Sequence, residues 1–119
     1  MSNIQSSIWV TFSKEGIHCY PAAQSIAGVE FLAHPHRHIF HFRVEIQVFH
    51  DDRELEFILF KRELVGLFSA DGPMDIDHKS CEMLARDLFA YITNKYDGRR
   101  VVVSVSEDNE NGATLTYTP

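Results

Sequence analysis

Residues 38–48 read HIFHFRVEIQV. Phe40, Phe42, Val44, Ile46 and Val48 alternate with His41, Arg43, Glu45 and Gln47. Successive side chains of a strand point to opposite faces, so this period of two gives one apolar and one polar face. The segment is a half-buried β-strand, and the rest of the chain is read outward from it.

Toward the N-terminus, Ile8 to Phe12 reads as a strand, Lys14-Glu15-Gly16 as a turn, and Ile17 to Tyr20 as a second strand. Pro21 to Gly28 is loop-like, and Val29 to Leu32 reads as a short strand. Toward the C-terminus, His50-Asp51-Asp52-Arg53 reads as a turn, and Leu55 to Phe68 becomes helical in its later part. There Phe57, Phe60, Leu64, Leu67 and Phe68 recur at helical spacing. Ala70 to Pro73 breaks that helix. Ser80 is an N-cap with acidic Glu82 in the first turn behind it. The second helix carries a stripe of Cys81, Leu84, Ala85, Leu88 and Ile92 and ends near Asp97-Gly98. Val101 to Glu107 is a valine-rich strand, Asn111-Gly112 a hairpin-turn signal, and Ala113 to Tyr117 the returning strand. Strands segregate from helices, which predicts an α+β fold: an antiparallel four-stranded sheet with two helices on one face.

The chain of 119 residues, 45% of them hydrophobic, fits a single domain over residues 1–119 and can bury a core without a metal or disulfides. A net charge of −6 and a pI of about 5.5 argue against a nucleic-acid partner, which calls for a basic face. No apolar run approaches the roughly 20 residues that span a bilayer, so no membrane partner is expected. The N-terminus lacks a basic segment followed by a long apolar run, and a cytoplasmic location is expected. Cys19 and Cys81 form no recognisable ligand or disulfide pattern.

The chemistry-bearing stretch is His34-Pro35-His36-Arg37-His38. In extended chain, His36 and His38 project to one side, with the parity of Phe40 and Phe42. Two imidazoles at this spacing are a natural pair of metal ligands, given a third from elsewhere. His18, in an early strand, is the candidate third, and His34 is the local competitor. The spacing fits equally a polar strand end without a metal.

The order of further motifs resembles the 6-pyruvoyl-tetrahydropterin synthase and 6-carboxytetrahydropterin synthase family of the tunnelling fold (T-fold). The matching features are an early histidine in Gly16-Ile17-His18-Cys19-Tyr20, the His36-Arg37-His38 start of a long strand, and Glu56-Phe57 at the head of a helix. Asp77-His78, the helix start Ser80-Cys81-Glu82-Met83-Leu84-Ala85, the strand-end Glu107 and Tyr117 on the last strand follow. The match covers most of the chain.

The resemblance implies a zinc ion (Zn2+) held by His18, His36 and His38, proton transfer by His78 with Asp77, and Glu107 anchoring the ring of a small pterin- or purine-like substrate. It implies a carbon–oxygen lyase acting on a dihydropterin-type compound and feeding pterin or 7-deazaguanine (queuosine) synthesis. It also implies a homo-oligomer, trimer or hexamer, whose sheets join edge to edge into a barrel. The alternative is a non-catalytic purine- or pterin-binding T-fold module. The chain departs from the family in lacking a cysteine shortly before the HxH, where Phe31, Leu32 and Ala33 stand. The enzyme reading therefore requires Glu30 or Cys19 to reach the metal. The segment between Asp77-His78 and the second helix is also short.

Overall fold

The computed structural model describes residues 3–68 and 72–119. The elements follow in the order β1 (Ser6–His18), β2 (His36–Val48), α1 (Phe57–Gly66), β3 (Met74–Asp77), α2 (Cys81–Lys95), β4 (Val101–Glu107) and β5 (Asn111–Tyr117). Two short 3-10 turns, Pro21–Ser25 and Glu30–Ala33, lie between β1 and β2.

The alternation in β2 sets the core. Phe40, Phe42, Val44, Ile46 and Val48 are buried, while the residues between them face the opposite side. Val10 on β1 and Val101, Val103 and Val105 on β4 extend the same apolar face. Phe60 and Leu64 of α1 and Leu84, Leu88 and Ile92 of α2 close it into one continuous core, so both helices cover one face of the sheet. Each fully buried side chain of this size contributes about 1.5–3 kcal/mol. An aromatic column of Phe12, Phe42 and Phe68, with ring centroids 4.8 and 5.0 Å apart across Phe42, ties β1 and β2 to the end of the first helix.

Both helices begin where their capping chemistry places them. The Glu56 carboxylate accepts from the backbone N–H groups of Ile58 and Leu59, and Ser80 Oγ accepts from Met83 N–H. In α1, Phe60 and Leu64 enter the core, but Phe57 and Leu67, expected in the same stripe, are largely exposed. The expected break at Ala70 to Pro73 begins outside the described residues.

The sheet differs from the expectation. It is α+β as predicted, but it has five strands in the order β3-β1-β2-β4-β5 and is mixed, because the short β3 runs parallel to β1. Four residues with two core side chains, Met74 and Ile76, are too few to show periodicity.

Lys14-Glu15-Gly16 is not a turn. β1 continues through it and pairs with β2 from Ser6↔Val48 to His18↔His36. Gly16 is there for space: a Cβ on it would lie 2.8 Å from the Phe40 ring. Val29 to Leu32 is no strand either, since the chain coils there into the second 3-10 turn.

The β4–β5 hairpin does not turn at Asn111-Gly112. It turns three residues earlier, with Asp108 and Asn109 at φ of +55° and +59°. Asn and Asp tolerate this left-handed region better than other residues with a Cβ. Gly112 lies within β5, where an added Cβ would approach the Val105 carbonyl oxygen to 2.4 Å. Among the described residues, no helix is long and apolar enough to cross a membrane.

Candidate metal centre and adjoining cleft

The β1–β2 register places His18 directly opposite His36 at one end of the sheet. His38 lies two residues further along β2 and therefore on the same face. The three rings meet edge to face, with centroids 4.6, 4.9 and 5.3 Å apart. Buried Phe40 forms the floor, 5.2 Å from the His18 ring and 6.0 Å from the His38 ring. One ligand atom from each histidine lies within 4.8 Å of the others, so His18, His36 and His38 can hold a metal ion. Ligand atoms of a tetrahedral zinc site lie about 3.4 Å apart.

Each ring is also fixed from behind. His18 Nδ1 lies 3.1 Å from the Lys79 carbonyl, His36 Nδ1 2.8 Å from the His34 carbonyl, and His38 Nδ1 2.7 Å from Asp108 Oδ2. A carbonyl or carboxylate oxygen only accepts, so in each ring Nδ1 carries the hydrogen and Nε2 of the neutral ring is a bare lone pair. Metal-ligating histidines show this arrangement, in which an outer acceptor sets the tautomer and raises ligand basicity. His38 Nε2 is buried without a hydrogen-bond partner, an unmet acceptor that a cation would satisfy.

His34, the local competitor, takes part through its carbonyl and not its ring. Asp108, which the sequence reading missed, also accepts from Ile39 N–H at 2.9 Å. These hydrogen bonds, the backbone one first, hold its carboxyl below the usual aspartate range. The Asp108-Asn109 pair after a strand was a usable turn signal. The two carbonyls had no side-chain signal at all.

Glu107 ends β4 opposite Phe40, diagonal to His38. Its Oε1 is 3.3 Å from His18 Nε2 and its Oε2 is 3.5 Å from His38 Nε2. The latter contact lacks hydrogen-bond geometry, consistent with His38 Nε2 having no partner. Glu107 also lines a cleft of about 780 Å³ shared with His18, His36, His78, the start of α2 and β5. This volume suits a small molecule.

His78 and Asp77 reach the same end of the sheet through β3. Asp77 has φ of +52°, its carbonyl accepts from Cys19 N–H, and its Oδ2 lies 3.0 Å from His78 Nδ1. His78 lines the cleft and its side chain is well exposed.

The two groups that could replace the absent cysteine behave differently. Glu30 turns back to accept from Gly28 N–H at 3.1 Å and is not part of the cleft wall. Cys19 does line the cleft beside His18. Cys81 also lines it, but burial first, then the Glu107 and Glu82 carboxylates, push its thiol up to about 11. It is a protonated thiol at neutral pH and a poor nucleophile.

A larger groove, about 1150 Å³, runs between β1 and α1, lined by Trp9, Phe12, Phe57 and Val65 among others. Among the described residues its lining contains no histidine, cysteine or carboxylate, so those residues offer no metal ligands and little acid–base chemistry. The chain matches no protein-family model and no curated protein.

Proposed function

We propose that this chain is a zinc-dependent lyase of the 6-pyruvoyl- or 6-carboxytetrahydropterin synthase type, acting on a dihydropterin-type substrate in the cleft beside His18, His36 and His38. The observation that carries this reading is the convergence of those three histidines, each with Nδ1 facing an acceptor, beside a cleft lined by His18, His36 and His78.

His18, His36 and His38 would hold the zinc, which would supply Lewis-acid polarisation of a substrate oxygen. His78 moves the protons, and neutral imidazole suits that work near neutral pH. Asp77 accepts from His78 Nδ1, which leaves Nε2 as the basic atom. Glu107 lies on the cleft wall, where a carboxylate can accept two N–H bonds from a guanine-like ring edge. Homo-oligomerisation, as a trimer or hexamer, is part of the proposal. From Ser6 to Ser13, β1 has no strand on its side away from β2 among the described residues, and β5 forms the other sheet edge. Pairing one copy's β1 with the next copy's β5 would cover the open stretch of β1 and the β5 edge.

The test is turnover of dihydroneopterin triphosphate by zinc-loaded protein, followed by pterin fluorescence. Product formation that falls about 100-fold or more in His78→Ala supports the reading. Saturable binding without product supports a second reading, a non-catalytic pterin- or purine-binding module. That alternative is favoured by Glu30 being held at Gly28, whereas Cys19, which lines the cleft beside His18, favours the enzyme.

A further inference from the structure

Glu107 stands closer to the histidine cluster than a ring-anchoring residue needs to. We propose that Glu107 is the fourth ligand of the metal centre, so that the ligand-free protein holds its cation in a closed site of three imidazoles and one carboxylate. The proposal rests on the metal-binding part of the function proposed above, and on none of its substrate chemistry.

The first argument is electrostatic. With Nδ1 of each ring committed to an acceptor, His18 Nε2 and His38 Nε2 present lone pairs. Glu107 presents carboxylate oxygens to the same two atoms, at 3.3 and 3.5 Å. An ionised carboxylate has no hydrogen to donate. Acceptor facing acceptor is repulsive unless a positive charge, a proton on the ring or a bound cation, stands between them, and a metal cation in that position is attracted by every group present.

The second argument is metric. Two ligand atoms each about 2.0–2.1 Å from a tetrahedral zinc lie about 3.4 Å apart. Each oxygen of Glu107 stands at about that separation from one histidine, Oε1 at 3.3 Å from His18 Nε2 and Oε2 at 3.5 Å from His38 Nε2, so the carboxylate spans both rings.

The third argument is charge balance. Three neutral imidazoles leave a divalent cation with its full charge in a partly buried place, and such charge is costly unless compensated. Glu107 at the metal and Asp108 behind His38 supply two negative charges, one for each charge of the cation. β4 delivers both, because its last residue and the first residue of the hairpin turn fall on either side of the His38 ring.

A closed centre has a consequence for ligand chemistry. A neutral assembly with its fourth position filled gives no attraction to small anions, and any substrate oxygen must displace Glu107 to reach the metal.

The experiment uses the full chain loaded with Co2+ in place of zinc, whose visible absorption reports coordination, titrated with azide. For wild type, the expected result is a tetrahedral spectrum that azide does not change. In Glu107→Ala, azide should shift the spectrum, and Co2+ affinity should fall about tenfold or more. A wild-type spectrum that shifts with azide, together with undiminished Co2+ affinity in Glu107→Ala, overturns the fourth-ligand assignment while leaving the histidine site standing. If wild type takes up no Co2+ or Zn2+ at all, the metal centre itself fails and this proposal with it. The wild-type titration decides the matter even if Glu107→Ala folds poorly, and Glu107→Gln, which preserves the shape but removes the charge, provides a second comparison.

Discussion

His18 and His36 are direct cross-strand partners, the last pair of the β1–β2 ladder, with ring centroids 4.6 Å apart. Residues 18 positions apart in the chain thus form one edge of the candidate metal site. A change in register of one residue would send one of the two rings to the opposite face of the sheet.

That pairing makes metal content the first prediction. Untagged, desalted wild type should carry about one zinc per chain, and His36→Ala should carry essentially none, measured by elemental analysis. Equal zinc in the two proteins would place the metal elsewhere.

Asp108 yields a second prediction. Asp108→Asn should tolerate the same left-handed backbone but loses the charge that orients His38. Zinc affinity should fall about 10–100-fold, as for other outer-shell partners, measured by competition with a chromogenic chelator. The thermal stability of the metal-free protein should change far less than the affinity does. An unchanged affinity would reduce Asp108 to a turn residue.

Gly16 gives a stability prediction. In Gly16→Ala the new Cβ meets two atoms of the Phe40 ring at 2.8 Å, and Phe40 is wholly buried beneath the histidines. Overpacking of this kind costs about 1–3 kcal/mol, to be read from urea unfolding midpoints. Because the displaced ring is the floor of the site, zinc affinity should fall as well. An unchanged affinity would show that the Phe40 ring does not govern the metal site.

The interface between α1 and α2 has its own pH dependence. Burial raises the Glu63 carboxyl, but hydrogen bonds from Lys95, Tyr91 and Tyr96 outweigh it and leave the group below its usual value of 4.5. A carboxyl depressed in the folded state contributes stability that is complete above the unfolded value and is lost as pH falls through the folded one. Glu63→Gln should therefore destabilise the protein at about pH 7 and lessen the loss of stability as pH falls below the usual value of 4.5. An unaltered acid profile in urea unfolding would show that Glu63 carries none of the acid sensitivity.

Much of this was legible locally. The alternation of Phe40, Phe42, Val44, Ile46 and Val48 defined the central strand, and Ser80 with the Leu84, Leu88 and Ile92 stripe defined α2. The pair His36 and His38 was readable because a strand keeps alternate residues on one face, whichever partner it finds, whereas His18, on another strand, was only a candidate third. Misreadings came where glycine had two explanations. Gly16 and Gly112 both looked like turn residues, yet each lies within a strand and is required by a close neighbour distant in sequence.

The tertiary structure alone decided the rest. It decided that β3 adds a parallel strand beside β1 and brings His78 to the cleft, that backbone carbonyls of His34 and Lys79 face the histidine rings, and that Glu107 approaches two of them. The sequence determined which residues share a face, because that follows from the pitch of a single strand. It could not determine which faces meet, because that depends on register and on contacts between residues such as His18 and Glu107, brought together only when the sheet closes.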